Sequence, residues 1–457
     1  MKAKITKILT PLVLLCGPLI SAYGQEADPP LTPREQMMLQ RIEQLEKRLA
    51  VLEKKEEQPS TPTVAAILPN PNQQPSVPSL AAEPSKQPDP LHGTTINFLL
   101  DAYYAYNFNN PIGRVNYLRA YDVSSNAFSL NQAAIVLENA PDPSKGKSFG
   151  ARVDLQFGQA TQTLQGNAAN EPRSDVYRAI FQAYGTYVHR GLTVDVGKWG
   201  SSLGIEGNYS KDQMNYSRSL WFDFLPFYHM GARATYKLND DLSVNYWIVN
   251  GTNQTEPFNG FKDQLFGLTI QPHKTVNWIV NYYLGQEHPD VVYYPNGGPP
   301  GLPTEQGLPF TPIQNSPKGK LHIFDSYATW QPSSKLTFAL EGDYVIERLQ
   351  TYSAPMHVAG GAIYARRQLT PRFAIAGRAE YLTDRGGLFS GVTQAIKEAT
   401  VTTEYRLPEG FLIRGEFRRD FSNRPYFLTD QLGILNNGQT TATIGLLWWY
   451  GGKEGVW

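Results

Sequence analysis

Residues 230–250 alternate apolar and polar side chains twice over. Met230, Ala232, Ala234, Tyr236 and Leu238 are separated by Gly231, Arg233, Thr235 and Lys237. After Asn239, Asp240 and Asp241 the alternation resumes with Leu242, Val244, Tyr246 and Ile248. Successive side chains of a strand point to opposite faces of its sheet, so this stretch predicts a hairpin with one apolar and one wet face.

The same unit recurs. Tight polar turns are predicted at 269–275, 330–335, 369–372 and 406–410. Strands are expected from Gly93, over 128–139 with a phase break near Gln132, and over 149–157. Others follow at 177–189, 192–199, 230–238, 242–250, 264–271, 275–285, 320–331, 335–347, 357–368, 372–382, 394–406, 410–420 and 439–450. The cleanest runs from Phe149 to Phe157, apolar at odd positions with Arg152, Asp154 and Gln156 between. Short turns alternate with long polar connections, and the strands are long enough to cross a bilayer at a tilt. These features predict an all-β transmembrane fold, an antiparallel up-and-down outer-membrane β-barrel of about 16 strands spanning 93–457. Aromatic residues near strand ends, such as Trp278, Trp330, Tyr405 and Trp448, fit interfacial girdles.

The first 92 residues read differently. Residues 1–24 have the form of a secretory signal: Lys2, Lys4 and Lys7, an apolar core over 8–20, and small Ala22 and Gly24 before Gln25. Leu15 stands before Cys16, where a lipoprotein signal would need a small residue. Residues 33–57 predict a short coiled-coil helix, since Met38, Ile42, Leu45, Leu49 and Leu52 alternate steps of four and three. Arg41 with Glu46, and Arg48 with Glu53, are spaced for interchain pairing, so self-association as a homo-trimer is expected. Residues 58–92, punctuated by prolines, predict an extended linker in the periplasm.

Composition narrows the function classes. Lys+Arg and Asp+Glu both number 41, which argues against a nucleic-acid partner. Beyond residue 24 no stretch approaches the ~20 apolar residues of a membrane helix. The only cysteine lies in the signal segment, so no disulfide is expected. His229, His273, His288, His322 and His357 lack metal-ligand spacing, and neither a P-loop nor a nucleophile elbow is present. No enzyme activity, cofactor or metal is expected.

The strings Gly191–Gly200, Gly204-Ile-Glu-Gly207, Asn215-Tyr-Ser-Arg-Ser219 and His229-Met-Gly-Ala-Arg233 resemble the OmpL-like outer-membrane β-barrel porin family. Asp101–Asn107 and Phe128–Ala133 are similar to its opening strands. The resemblance covers 93 to the C-terminus and implies a porin. The third outer connection, 200–228, carries Glu206, Lys211, Asp212, Arg218 and Asp223, and by analogy with general porins these are candidates for a constriction.

The wet strand phase supplies candidate pore-lining residues. Arg152, Asp154, Asp195, Arg233, Lys237 and Glu341 fall on it, as do Asp343, Arg378, Glu380, Arg414, Glu416 and Arg418. Their mixed sign argues against an anion-only pore. The expected function is passive diffusion of small hydrophilic solutes through a water-filled barrel in the outer membrane of a Gram-negative bacterium, with lipid around it. The alternatives are an outer-membrane anchor whose coiled coil and linker reach the cell wall, and, third, a barrel hydrolase.

Overall fold

The computed structural model describes residues 91, 93–164, 171, 173–257, 259–288, 291–293, 312–315, 318–453 and 455–457. The expected signal segment, the coiled-coil helix and, apart from Leu91, the linker lie outside the described residues.

The described chain is a closed sixteen-stranded antiparallel barrel in which each strand pairs with its neighbours in sequence and the last closes on the first. The strands are β1 (Thr94–Asn107), β2 (Ala127–Asn139), β3 (Phe149–Phe157), β4 (Ile180–His189), β5 (Leu192–Gly200) and β6 (Tyr228–Lys237). Next come β7 (Leu242–Val249), β8 (Asp263–His273), β9 (Val276–Gly285), β10 (Leu321–Ser333) and β11 (Leu336–Glu347). The set ends with β12 (Met356–Gln368), β13 (Phe373–Arg385), β14 (Gln394–Arg406), β15 (Phe411–Ser422) and β16 (Gly438–Gly451). Closure sets Phe98 opposite Tyr450 and Tyr106 opposite Ala442, so no edge is left to pair with another chain.

Local chemistry explains the connections. At one end the chain turns tightly, as between β4 and β5, where Arg190 and Gly191 both have positive φ and form a two-residue turn whose twist suits a hairpin. At the other end the connections are longer, including 108–126, 158–179, 201–227 and 423–437. The phase break expected near Gln132 is a register shift: Asp101 pairs with Gln132 and Ala102 with Leu130, leaving Asn131 as the extra residue. β4 starts at Ile180 rather than 177, because Ser174–Tyr177 forms a helical turn.

The outward face is apolar. Phe149, Val153 and Phe157 on β3 are exposed, with Phe266, Leu340, Ile363, Phe417 and Ile444 elsewhere around the wall. Inward residues differ in kind. Arg152, Asp154 and Gln156 are buried, and an apolar cluster inside the barrel joins Trp247, Leu265, Ile279 and Ile323 to Trp199, Leu203, Leu220 and Trp221. Much of the interior is thus a packed core.

Candidate functional site

What fills the interior is the third long connection, residues 201–227. It leaves β5 at Gly200, crosses the inside of the barrel, and returns to β6 at Tyr228. Two short helical turns shape it, Ser210–Asp212 and Leu220–Phe224. Ser219 caps the second, its Oγ accepting from the Phe222 N–H at 2.9 Å.

A connection held inside a barrel leaves its own backbone groups without strand partners, and burial makes each of them costly unless bonded. Inward side chains meet that need. On one side the Gly204 and Ile205 N–H groups donate to Asp325 Oδ1 (3.1 Å) and Glu341 Oε1 (3.0 Å). The Tyr327 hydroxyl donates to the Ser202 carbonyl at 3.1 Å. Gly204 is required here. Its φ is +81°, and a Cβ would lie 3.0 Å from Glu341 Oε1.

On the opposite side Arg414 donates to the Ser210, Gln213 and Asn215 carbonyls. Glu416 accepts from the Tyr216 N–H at 2.6 Å and the Ser217 N–H at 3.0 Å. Glu380 accepts from the Leu220 N–H at 2.8 Å, and Arg378 donates to the Ser217 carbonyl at 2.8 Å. Between these arms, Tyr209 donates to Asp154, Asn208 to Gln156 and Ser210 to Gln132. The Tyr216 hydroxyl reaches Asp101 at 2.8 Å, and its ring lies so close to Gly445 that a Cβ there would sit 2.4 Å from it.

The constriction candidates divide by role. Glu206 pairs with Arg378 at 2.8 Å. Arg218 folds the segment on itself, donating to the carbonyls of Gly207, Asn208 and Tyr216 with its guanidinium over the Tyr121 ring. Lys211 and Asp212 pair with each other at 2.6 Å, beside the Trp457 ring. Asp223 sits at the long-connection end, in a cleft of about 630 Å³ shared with Arg119, Asn253 and Glu287.

The wall candidates all carry inward phase, and the structure groups them by partner. Arg152 pairs with Asp154 (2.8 Å) and Arg233 with Asp195 (2.7 Å). Arg378 pairs with Glu380 (3.0 Å) and with Glu398 (3.2 Å). Lys237 stands apart at a tight turn, where it holds the exposed Asp240 carboxyl below its ordinary range through a 2.7 Å hydrogen bond. Glu341 and Asp343 are buried beside Asp325 with no lysine or arginine paired to any of them among the described residues. Sequence reasoning missed Asp101, Gln132, Asn281, Asp325, Glu398, Glu404 and Asp420. Their inward phase was the available signal, but on β10 apolar residues occupy both faces and hide it.

The segment leaves a cavity of about 100 Å³ on the β3–β10 side, lined by Leu203, Ile205, Glu206 and Tyr209 from within and by Arg152, Gln182, Arg233, Asn277 and Thr329 from the wall. The inner segment thus occupies part of the interior that the strand pattern predicts to be water-filled, and the space beside residues 201–209 is narrow. Ser201 Oγ lies 3.1 Å from His229 Nε2, but His229 Nδ1 faces the Gly251 carbonyl, so that pair has no carboxylate to orient it.

Residues 93–447 match the family model described as "Putative beta-barrel porin-2, OmpL-like". No curated protein matches the sequence. Among solved structures, the chain is similar to the anion-selective porin from Comamonas acidovorans at 8% identity and a TM-score of 0.49, covering 78% of this chain and 99% of that one. The outer membrane channel DcaP of Acinetobacter baumannii is similar at 7% identity and 0.49, over 78% and 97%. OprB of Pseudomonas putida is similar at 11% identity and 0.48, over 79% and 94%.

Proposed function

The chain belongs to the OmpL-like β-barrel porin-2 family, and from that premise we propose that it lets small hydrophilic solutes cross the outer membrane by passive diffusion. The observation that carries this reading is the cavity beside residues 201–209, where charged and amide side chains of the wall face the inner segment. At about 100 Å³ it has room for several water molecules, each needing ~10–15 Å³ of such space. The solutes are therefore small. The lining charges are paired across the wall, Arg152 with Asp154 and Arg233 with Asp195, so selection by charge is weak.

Folded full-length protein in a planar bilayer is expected to give small unitary conductance steps and a small reversal potential in a KCl gradient. Silence from protein shown to be folded by its heat-modifiable gel mobility would overturn the reading. The packed interior favours a second reading in that event, a barrel serving as an anchor for the N-terminal segment at the cell wall. The same proposal includes a homo-trimer, supported by the seam Met38, Ile42, Leu45, Leu49 and Leu52. Sedimentation equilibrium of a peptide covering 25–57 reads its stoichiometry, and a monomer at hundreds of micromolar would remove this segment as the cause.

A further inference from the structure

We propose that Asp325, Glu341 and Asp343 bind a hard divalent cation such as calcium, and that the ion fastens the start of the inner segment to the barrel wall. The three carboxylates come from adjacent strands. Asp325 on β10 faces Asp343 on β11 in register, and Glu341 lies two residues along β11 on the same inward face. One oxygen from each lies within 4.8 Å of the others, and the residues are 1%, 2% and 5% exposed.

Three like charges so close in a water-poor interior repel strongly, and something must offset them. The neighbours supply only neutral donors. Asp325 accepts from the Gly204 N–H and from Asn281 Nδ2, and Glu341 accepts from the Ile205 N–H and the Tyr364 hydroxyl. Asp343 has no neutral donor: both of its oxygens are buried without one, and one of them lies within 4.8 Å of an oxygen on each of the other two carboxylates, Asp325 being close enough to share a proton with it. A native interior rarely leaves such a group without a bound water or ion.

Neighbouring side chains on the same row supply further oxygens. Asn245, Gly267, Asn281, Asp325 and Asp343 follow one another across five strands. The side-chain carbonyl oxygens of Asn245 and Asn281 are also buried and unpartnered. Carboxylate and amide oxygens are the ligands of a hard cation. Calcium–oxygen bonds of about 2.3–2.6 Å span oxygens up to ~5 Å apart, so oxygens within 4.8 Å of one another can share one such ion. With the ion present all three groups stay ionised, and Asp325 and Glu341 hold the Gly204 and Ile205 amides as charged acceptors, the stronger kind.

The test uses folded full-length protein, stripped with EDTA and titrated with CaCl2 by calorimetry, with Tb3+ as an optical probe. Wild type is expected to bind one Ca2+ per barrel. Tb3+ at the same site should show emission sensitised by Tyr327 and Tyr364. Calcium should also slow hydrogen exchange at the Gly204 and Ile205 amides. Asp343→Asn should weaken binding at least tenfold, while Asp240→Asn, at an exposed turn, should bind as wild type does. Lack of saturable binding by the wild type overturns the proposal, as does equal affinity in Asp343→Asn. A third overturning result is a protection factor at Gly204 and Ile205, measured against the intrinsic exchange rate at each pH, that rises as pH falls yet ignores Ca2+, because the carboxylates would then share protons instead. Should Asp343→Asn fail to fold, the wild-type stoichiometry and the tyrosine-sensitised emission decide alone.

Discussion

The inner segment is held by two arcs of wall that do the same job with opposite chemistry. On β10–β11, Asp325 and Glu341 accept the Gly204 and Ile205 amides with no guanidinium paired to them among the described residues. On β13–β15, Glu380 and Glu416 accept the Leu220, Tyr216 and Ser217 amides among Arg378, Arg414 and Arg418. There, acid and base interleave: Arg414 pairs with Glu404 at 2.8 Å, Arg418 with Asp420 at 2.9 Å, and Arg119 with Asp420 at 2.8 Å. The arginine arc therefore carries its own counter-charge and fastens the segment without help. The acidic arc does not, so its grip depends on what neutralises it. A buried pair costs most of what it gains in lost hydration, but breaking one partner leaves a bare charge, and that asymmetry makes the two arcs respond differently to substitution.

The largest effect is expected at Arg378, which serves Glu206, Glu380 and Glu398 and the Ser217 carbonyl at once. Arg378→Ala should destabilise the folded barrel by ~3–5 kcal/mol, read from the urea midpoint in micelles. A change below 1 kcal/mol would mean that the arc is not self-contained. Smaller effects of opposite sign should follow from neutralising one acid in each arc. Glu416→Gln removes the charged acceptor of two amides and should cost ~1–3 kcal/mol. Asp343→Asn in EDTA should leave the midpoint unchanged or raise it, because it relieves repulsion and deprives no neutral donor of its acceptor. If both acids destabilised alike in EDTA, the contrast between the arcs would fail. The smallest effect is expected outside both arcs. Lys237 forms its ion pair with the exposed Asp240, and Lys237→Ala should leave the midpoint where it was.

The barrel was legible along the chain because its rules are local. Alternation of period two sets which face each residue takes, and tight turns such as Arg190-Gly191 set where strands reverse. The odd-numbered residues of Phe149–Phe157 thus show their outward orientation in the sequence alone, as does the inward phase of Arg152 and Asp154. Where the local rule fails, the cause is the inner segment. On β10 the inward Leu321, Ile323 and Tyr327 are apolar because Trp199, Leu203 and Trp221 pack against that wall, so alternation is blurred and Asp325 goes unnoticed. The wet face also proved to be a packing face. Gln156 accepts from Asn208 at 2.7 Å and is fully buried, although its position in the pattern suggested contact with water.

What the sequence by itself determined is the wall: a sixteen-strand barrel, its lipid face, and the place of the third long connection. Only the tertiary structure decided that residues 201–227 turn inward, and that one set of buried acids meets arginines while, among the described residues, Asp325, Glu341 and Asp343 meet one another and neutral donors. The physical reason is range. A strand's face follows from its neighbours two residues away, whereas the partner of Glu341 is Ile205, 136 positions distant, and is chosen by where every strand between them has already been placed.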